Sequence, residues 1–253
     1  MKHKTNKHWE KIGKTNAYFG VVSHNSYLDN NQGSKNTETF YASGKEYINE
    51  LFDILFKNYG KSYFDRIIDF GCGVGRLTLP MASFADHVVG VDISSHMIKI
   101  AEEKALSDEI SNVSFRESLN SNIKEYYDLV HSFIVLQHIR TDNGYGIIKS
   151  LLEMTGEKGI AAIHVTFATT TIRRRLRDIL RKRLGILVRL KNSLTRVGWR
   201  GPMMEMNLYS LRRLFAIYAA ENHRIDLMVP SEHDGVLGVL VFSHRSKKRN
   251  FVD

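Results

Sequence analysis

The stretch Arg66-Ile-Ile-Asp-Phe-Gly-Cys-Gly-Val-Gly-Arg76 decides how this chain is read. Arg66 to Asp69 has the character of a buried strand's end. Three glycines follow at alternate positions, Gly71, Gly73 and Gly75, and an amphipathic run starts at Leu77. A strand that passes through glycines into a helix lets a ligand approach bare backbone at a helix N-terminus. The next apolar run, Val88-Val-Gly-Val91, ends in Asp92. A carboxylate at the tip of a second strand is placed to hold the two hydroxyls of a ribose. Together these residues point to an adenosine-containing cofactor.

A dinucleotide fingerprint needs glycine at its first, third and sixth positions. Counted from Gly71, the sixth position is Arg76, which speaks against a pyrophosphate-binding turn. The spacing G-x-G-x-G with Asp69 two residues ahead resembles the first motif of the class I S-adenosylmethionine-dependent methyltransferases. The resemblance implies S-adenosyl-L-methionine as cofactor. It places Asp69 near the cofactor's amino-acid end, Gly71, Cys72, Gly73 and Gly75 around it, and Asp92 with Ile93 at the ribose. Tyr127-Asp-Leu-Val-His-Ser-Phe-Ile-Val-Leu-Gln-His138 resembles the family's fourth strand and the loop after it, so the Phe133 backbone is expected to border the methionine part. The family often has an acid after strand three to receive the adenine amino group. Here that place falls near Leu119, with Ser118, Glu117 or Asn120 as substitutes. The resemblance covers residues 45–167 and 208–245 and extends to no metal site.

Periodicity supplies the frame. Strands are expected at Ile67–Phe70, Val88–Val91, Val113–Phe115, Leu129–Val135 and Ile160–Phe167, with a final pair at His223–Val229 and Gly235–Ser243. Helical spacing falls at 45–59, 76–85, after Ser94, at 142–155 and at Ser210–Asn222. Apolar strands alternating with amphipathic helices indicate an α/β, Rossmann-like, doubly wound and mostly parallel sheet. The resemblance makes it seven-stranded with an antiparallel last strand. Residues 1–44, with little periodicity, read as a partly irregular cap. The core is then 45–167 with 201–246, interrupted by an insertion at 168–200.

The 253 residues carry a net charge of +9, an apolar fraction of 43% and one cysteine, Cys72. The apolar content excludes a disordered chain, and one cysteine excludes an internal disulfide. Cys72 reads as a small residue where space is tight rather than a reactive thiol. No run reaches the ~20 apolar residues of a membrane span, and the basic N-terminus leads into no apolar segment, so the chain is expected in the cytoplasm. The charge is local: residues 171–200 hold eleven Lys or Arg and one acid, against 25 basic and 26 acidic side chains elsewhere. Within it, Ile172, Leu176, Ile179, Leu180, Leu184, Leu187, Leu190, Leu194 and Val197 form one helical stripe. Three readings stay open: a helix lying on an anionic membrane face, a nucleic-acid contact, or a lid with solvated charges. The stripe favours a membrane over nucleic acid, since stacking aromatics other than Trp199 are absent from it.

Methyl transfer to a hydroxyl needs an aligned acceptor and a base near neutral pKa. His138, just past strand four, is the first candidate for that base. His131 and His164 lie inside strands and read as core histidines, and His233 with Asp234 reads as a turn. Tyr18, His24 and Tyr27 read chiefly as packing of the cap, with an acceptor pocket as the alternative. The expected activity is O-methylation of a small-molecule, sugar or lipid-linked glycan acceptor, with RNA or protein methylation, or a non-catalytic binding module, as the alternatives.

Overall fold

The computed structural model describes residues 2–21, 34–119, 125–170, 206–233 and 235–246. The helices are α1 (Lys2–Val21), α2 (Ser34–Tyr59), α3 (Thr78–Met81), α4 (Ser95–Ser107), α5 (Thr141–Glu153) and α6 (Leu211–Ala220). The strands are β1 (Phe64–Phe70), β2 (Ala85–Val91), β3 (Val113–Arg116), β4 (Tyr127–Ser132), β5 (Thr155–Thr169), β6 (His223–His233) and β7 (Val236–Arg245). They form a seven-stranded sheet in the order β3-β2-β1-β4-β5-β7-β6. β1 pairs in parallel with β2 and β4, and β7 is antiparallel to both β5 and β6. This is the Rossmann-like sheet expected from the alternation of strands and helices.

The chain divides into two compact units. One comprises Met1–His131 with Met154–Gly159, the other Ser132–Glu153 with Ile160–Asp253. The first has a core of Ile67, Ile68, Val88, Val89 and Leu129, all buried on strands, with Leu51 and Leu55 of α2. The second is built on Ile160–Ile163, Val239, Val241 and Phe242, with Ile148, Leu151 and Leu214 from its helices.

The N-terminal reading needs correction. Residues 2–21 are a helix, and α2 begins at Ser34 rather than near residue 45. Trp9, Ile12, Ala17 and Val21 carry helical spacing that the intervening polar residues dilute. They pack with Phe40, Val74 and Met97 in one cluster. Gly44 lies inside α2, where a Cβ would collide with the backbone of Arg76. Gly13 is used in the same way: a Cβ would stand 2.6 Å from the Ser94 hydroxyl. Both glycines let a helix approach another segment closely rather than end a helix. Strand four also ends earlier than expected, at Ser132, because Ile134 adopts φ 59° and turns the chain out of the sheet. The basic stripe at 171–199, the 168–200 insertion beyond Thr170, and His24, Tyr27, Asn120 and Asp234 lie outside the described residues.

Candidate functional site

The glycine turn links β1 to α3. Gly71, Gly73 and Gly75 take φ of 81°, 53° and 80°, a region closed to most side chains, so alternate glycine is a backbone requirement of the turn itself. Gly71 and Cys72 donate their N–H groups to the Val91 carbonyl, at 2.7 and 3.0 Å, which ties the turn to the tip of β2. The space freed at Gly73 is taken by Val21 of α1, 2.7 Å from where a Cβ would stand. At Gly75 it is taken by Leu79 and Ala101, at 3.1 and 3.2 Å. The bare faces of these two glycines therefore serve packing within the chain, where the sequence suggested room for a ligand.

Asp92 lies one residue past β2. Its Oδ2 accepts from the Gly73 N–H and its Oδ1 from the Ser94 N–H, each at 2.9 Å. A carboxylate offers about four acceptor positions, so each oxygen retains one for a hydroxyl pair. Burial raises the Asp92 pKa, opposed by the backbone N–H groups of Ser94, Gly73 and Ile93, which favour the anion. Ile93 beside it is 42% exposed, an apolar surface next to the carboxylate. These two residues fit a ribose with its base. Ser118 is exposed on the loop after β3.

Asp69 is hydrogen-bonded within the first unit. It is in register with His131 on β4, and neighbouring side chains on one face of paired strands meet. His131 Nδ1 lies 2.8 Å from Asp69 Oδ1, Thr78 donates to Oδ2 at 2.6 Å, and the Tyr47 hydroxyl reaches His131 Nε2 at 3.2 Å. With Nδ1 protonated, Tyr47, His131 and Asp69 form one donor-to-acceptor chain, entirely within the first unit. The Asp69 carboxylate is committed to fixing the start of the glycine turn. Cys72 is buried inside it. Desolvation, then the Asp92 and Asp69 carboxylates, push its thiol pKa well up, so it stays protonated and inert.

Helix α4 starts against this turn. Ser94 caps it, accepting from the Met97 N–H, and donates to Glu10 Oε2 at 2.9 Å. Glu10 also takes the His96 N–H and the Ser95 hydroxyl, each at 3.4 Å. A carboxylate at a helix N-terminus is favoured by the helix dipole. Burial raises the Glu10 pKa, but the bonds from Ser94, His96 and Lys14 outweigh it and leave it lowered.

In the second unit, Phe133 follows β4 directly. Its ring meets His164 edge-on at 4.9 Å and His233 at 5.9 Å. His138 closes a short 3-10 turn, with its Nε2 3.1 Å from the Gln137 side-chain amide. Tyr209 fastens that turn by donating to the Leu136 and Ile139 carbonyls. Among the described residues, no group of three His, Cys, Asp or Glu could hold a metal, and no helix is long and apolar enough to cross a membrane.

The family profile of a methyltransferase domain matches residues 63–178. That stretch of the chain is similar to a methyltransferase domain. The match spans β1 to β5 and so includes the glycine turn, Asp92 and Phe133. Among curated proteins, a 70-residue stretch is 37% identical to the 23S rRNA (uracil(1939)-C(5))-methyltransferase of Klebsiella pneumoniae, covering 27% of this chain and 16% of that protein. A 113-residue stretch is 28% identical to the protein of the same description from Yersinia enterocolitica, 44% of this chain and 25% of that one. The matched stretch is thus a minor part of each relative. Among solved structures, magnesium protoporphyrin IX methyltransferase from Synechocystis PCC 6803 with bound SAH aligns at TM-score 0.66 and 18% identity, over 96% of this chain and 100% of that one. An N-methyltransferase from Bradyrhizobium japonicum in complex with S-adenosyl-L-homocysteine aligns at 0.59 and 12%, over 96% and 99%. The chain shares its fold with both.

Proposed function

We propose that the chain transfers a methyl group from S-adenosylmethionine to a hydroxyl of a small-molecule, sugar or lipid-linked glycan acceptor. The observation that carries this reading is Asp92: a partly buried carboxylate at the tip of β2, tied to Gly73 and Ser94 and retaining acceptor positions beside exposed Ile93. In that role Asp92 accepts both ribose hydroxyls, and Ile93 packs on the adenine. Asp69, pinned by His131 and Thr78, holds the glycine turn in place beneath the methionine part. When bound, the sulfonium supplies a methyl carbon whose leaving group departs neutral. The chain's own task is then to align the acceptor and accept one proton.

Incubation with tritiated S-adenosylmethionine and fractionated small molecules, glycolipids and RNA tests the reading. Label in the small-molecule or glycolipid fraction supports it. Cofactor binding without labelled product in any fraction would reduce the chain to a binding module. A second reading, RNA methylation, is favoured by the stretch shared with the rRNA methyltransferases; label confined to RNA would establish it instead. For residues 171–199 we propose contact with an anionic membrane face. Sedimentation with anionic vesicles at low and high salt tests this, and no co-sedimentation at low salt would exclude it.

A further inference from the structure

Two carboxylates flank the glycine turn of the first unit. Asp69 stands ahead of it and is buried, and Asp92 stands beyond the tip of β2 and is half-buried. Neither pairs with a Lys or Arg among the described residues. Their charges act on the groups around them. After burial itself, Asp92 and Asp69 push the Cys72 thiol up, and Asp69 adds to the burial that raises Asp92. Carboxylates withdrawn from water and set close together gain from a cation brought between them. The chain supplies none among the described residues, so the site has the electrostatics of one completed by a positively charged ligand.

Behind Asp69 stands a pair that fixes its direction. His131 is fully buried on β4, in register with Asp69 on β1, and its Nδ1 lies 2.8 Å from Oδ1. Tyr47 reaches in from α2. Its ring centre is 5.9 Å from that of the imidazole, and its hydroxyl is 3.2 Å from Nε2. With the Tyr47 hydroxyl donating to Nε2, the imidazole carries its proton on Nδ1 and gives it to Asp69 as a hydrogen bond, without adding a charge. Without that hydroxyl, the ring is free to carry its proton on Nε2, which sets the Nδ1 lone pair against Oδ1. Tyr47 thus selects the tautomer that Asp69 receives. Thr78 donates to the other oxygen at 2.6 Å. Each oxygen then accepts one bond and retains about one further acceptor position.

We propose that Tyr47 and His131 are positioning residues for the amino-acid end of the cofactor: acting through Asp69, they hold its carboxylate with an acceptor position for the ligand's ammonium group, met directly or through one bridging water. The proposal rests on the reading above, in which the methionine part lies over the glycine turn. Tyr47, Asp69, Thr78 and His131 all belong to the first unit. No proton is transferred along the chain; its work is to keep one carboxylate turned one way. A brace between β1 and β4 would serve every ligand of the turn alike, whereas a positioned carboxylate serves only a ligand that carries the ammonium group.

Calorimetry on the full chain with two ligands separates these roles. S-adenosylhomocysteine carries the amino-acid end, and 5′-methylthioadenosine keeps the adenosine and the thioether but lacks it. The wild type is expected to bind the first about 10-fold or more tightly than the second. Tyr47→Phe keeps the ring and removes only the hydroxyl. It is expected to lose about 5–10-fold in affinity for S-adenosylhomocysteine and less than about 2-fold for 5′-methylthioadenosine. His131→Leu should lose about 10-fold or more for the first ligand alone, and His131→Asn, whose amide offers an N–H near the Nδ1 position, should stay within about 3-fold of the wild type. Tyr47→Phe alone decides the outcome if a His131 variant does not fold. Equal losses for both ligands would make the pair a brace of the sheet and overturn the proposal, as would an unchanged affinity for S-adenosylhomocysteine. A wild type that binds both ligands equally would overturn it too, while leaving the ribose assignment standing. No binding of either ligand would overturn the cofactor reading and the proposal with it.

Discussion

The glycine turn and the ring cluster past β4 solve opposite problems. The turn is a backbone device. Its three positive φ angles demand glycine, its N–H groups bind Val91 and Asp92, and the Asp69 side chain ahead of it is fixed by His131 and Thr78. The cluster is a side-chain device assembled from His164 on β5, Ser231 and His233 on β6 and Phe133 just past β4, with one fixed imidazole and one exposed. The difference is one of constraint: backbone geometry at the turn admits few residue types, whereas side-chain contacts in the cluster are open to exchange.

Substitutions on the two sides sharpen or break that division. Asp69→Ala has the largest expected effect. It removes the acceptor shared by His131 and Thr78 in a buried place, and should cost about 3–5 kcal/mol in urea denaturation. Thr78→Ala should cost only about 1–2 kcal/mol. Equal losses would mean that the His131 bond carries nothing. Next is acid sensitivity on the cluster's side of the chain. Burial lowers the His223 pKa to about 4, with its ring held by Ser243 and the Leu152 carbonyl. The unfolded ring titrates near 6.5, so this contribution is complete above pH 6.5 and is lost as pH falls toward 4. It amounts to roughly 3 kcal/mol at most. His223→Gln should flatten stability over that window, measured by denaturation at a series of pH values. Gly238→Ala should cost about 1–3 kcal/mol by displacing His164, while Gly146→Ala, with open space around its Cβ position, should be neutral or gain up to about 1 kcal/mol. We expect Gly238→Ala to disturb the His233 NMR signal and leave cofactor affinity unchanged; loss of affinity would erase the division. The smallest effect is Glu10→Ala, about 1 kcal/mol, read as faster hydrogen exchange in α1.

What could be read from the sequence follows the same division. Gly71, Gly73, Gly75 and Asp92 lie within a few residues of strand ends, and each is nearly dictated by backbone geometry, so local sequence carries the signal. The partner of Asp69 was not legible, because His131 is 62 positions away and only the register of β1 on β4 brings them together. His233 read as part of a turn. The clue was present in the alternation of Ser231 and His233 on one face of β6, but that strand runs past Val229, where the apolar pattern stops. The first helix was missed because four apolar contacts are scattered among lysines and asparagines, and only the packing with Phe40 and Val74 gives them a common face.

Calorimetric titration of S-adenosylhomocysteine into the full chain and into Asp92→Ala tests the assignment of the ribose most directly. We expect binding by the wild type and an affinity about 100-fold lower in the variant, the worth of two hydrogen bonds to a charged group. Equal affinities, with both proteins folded, would contradict it.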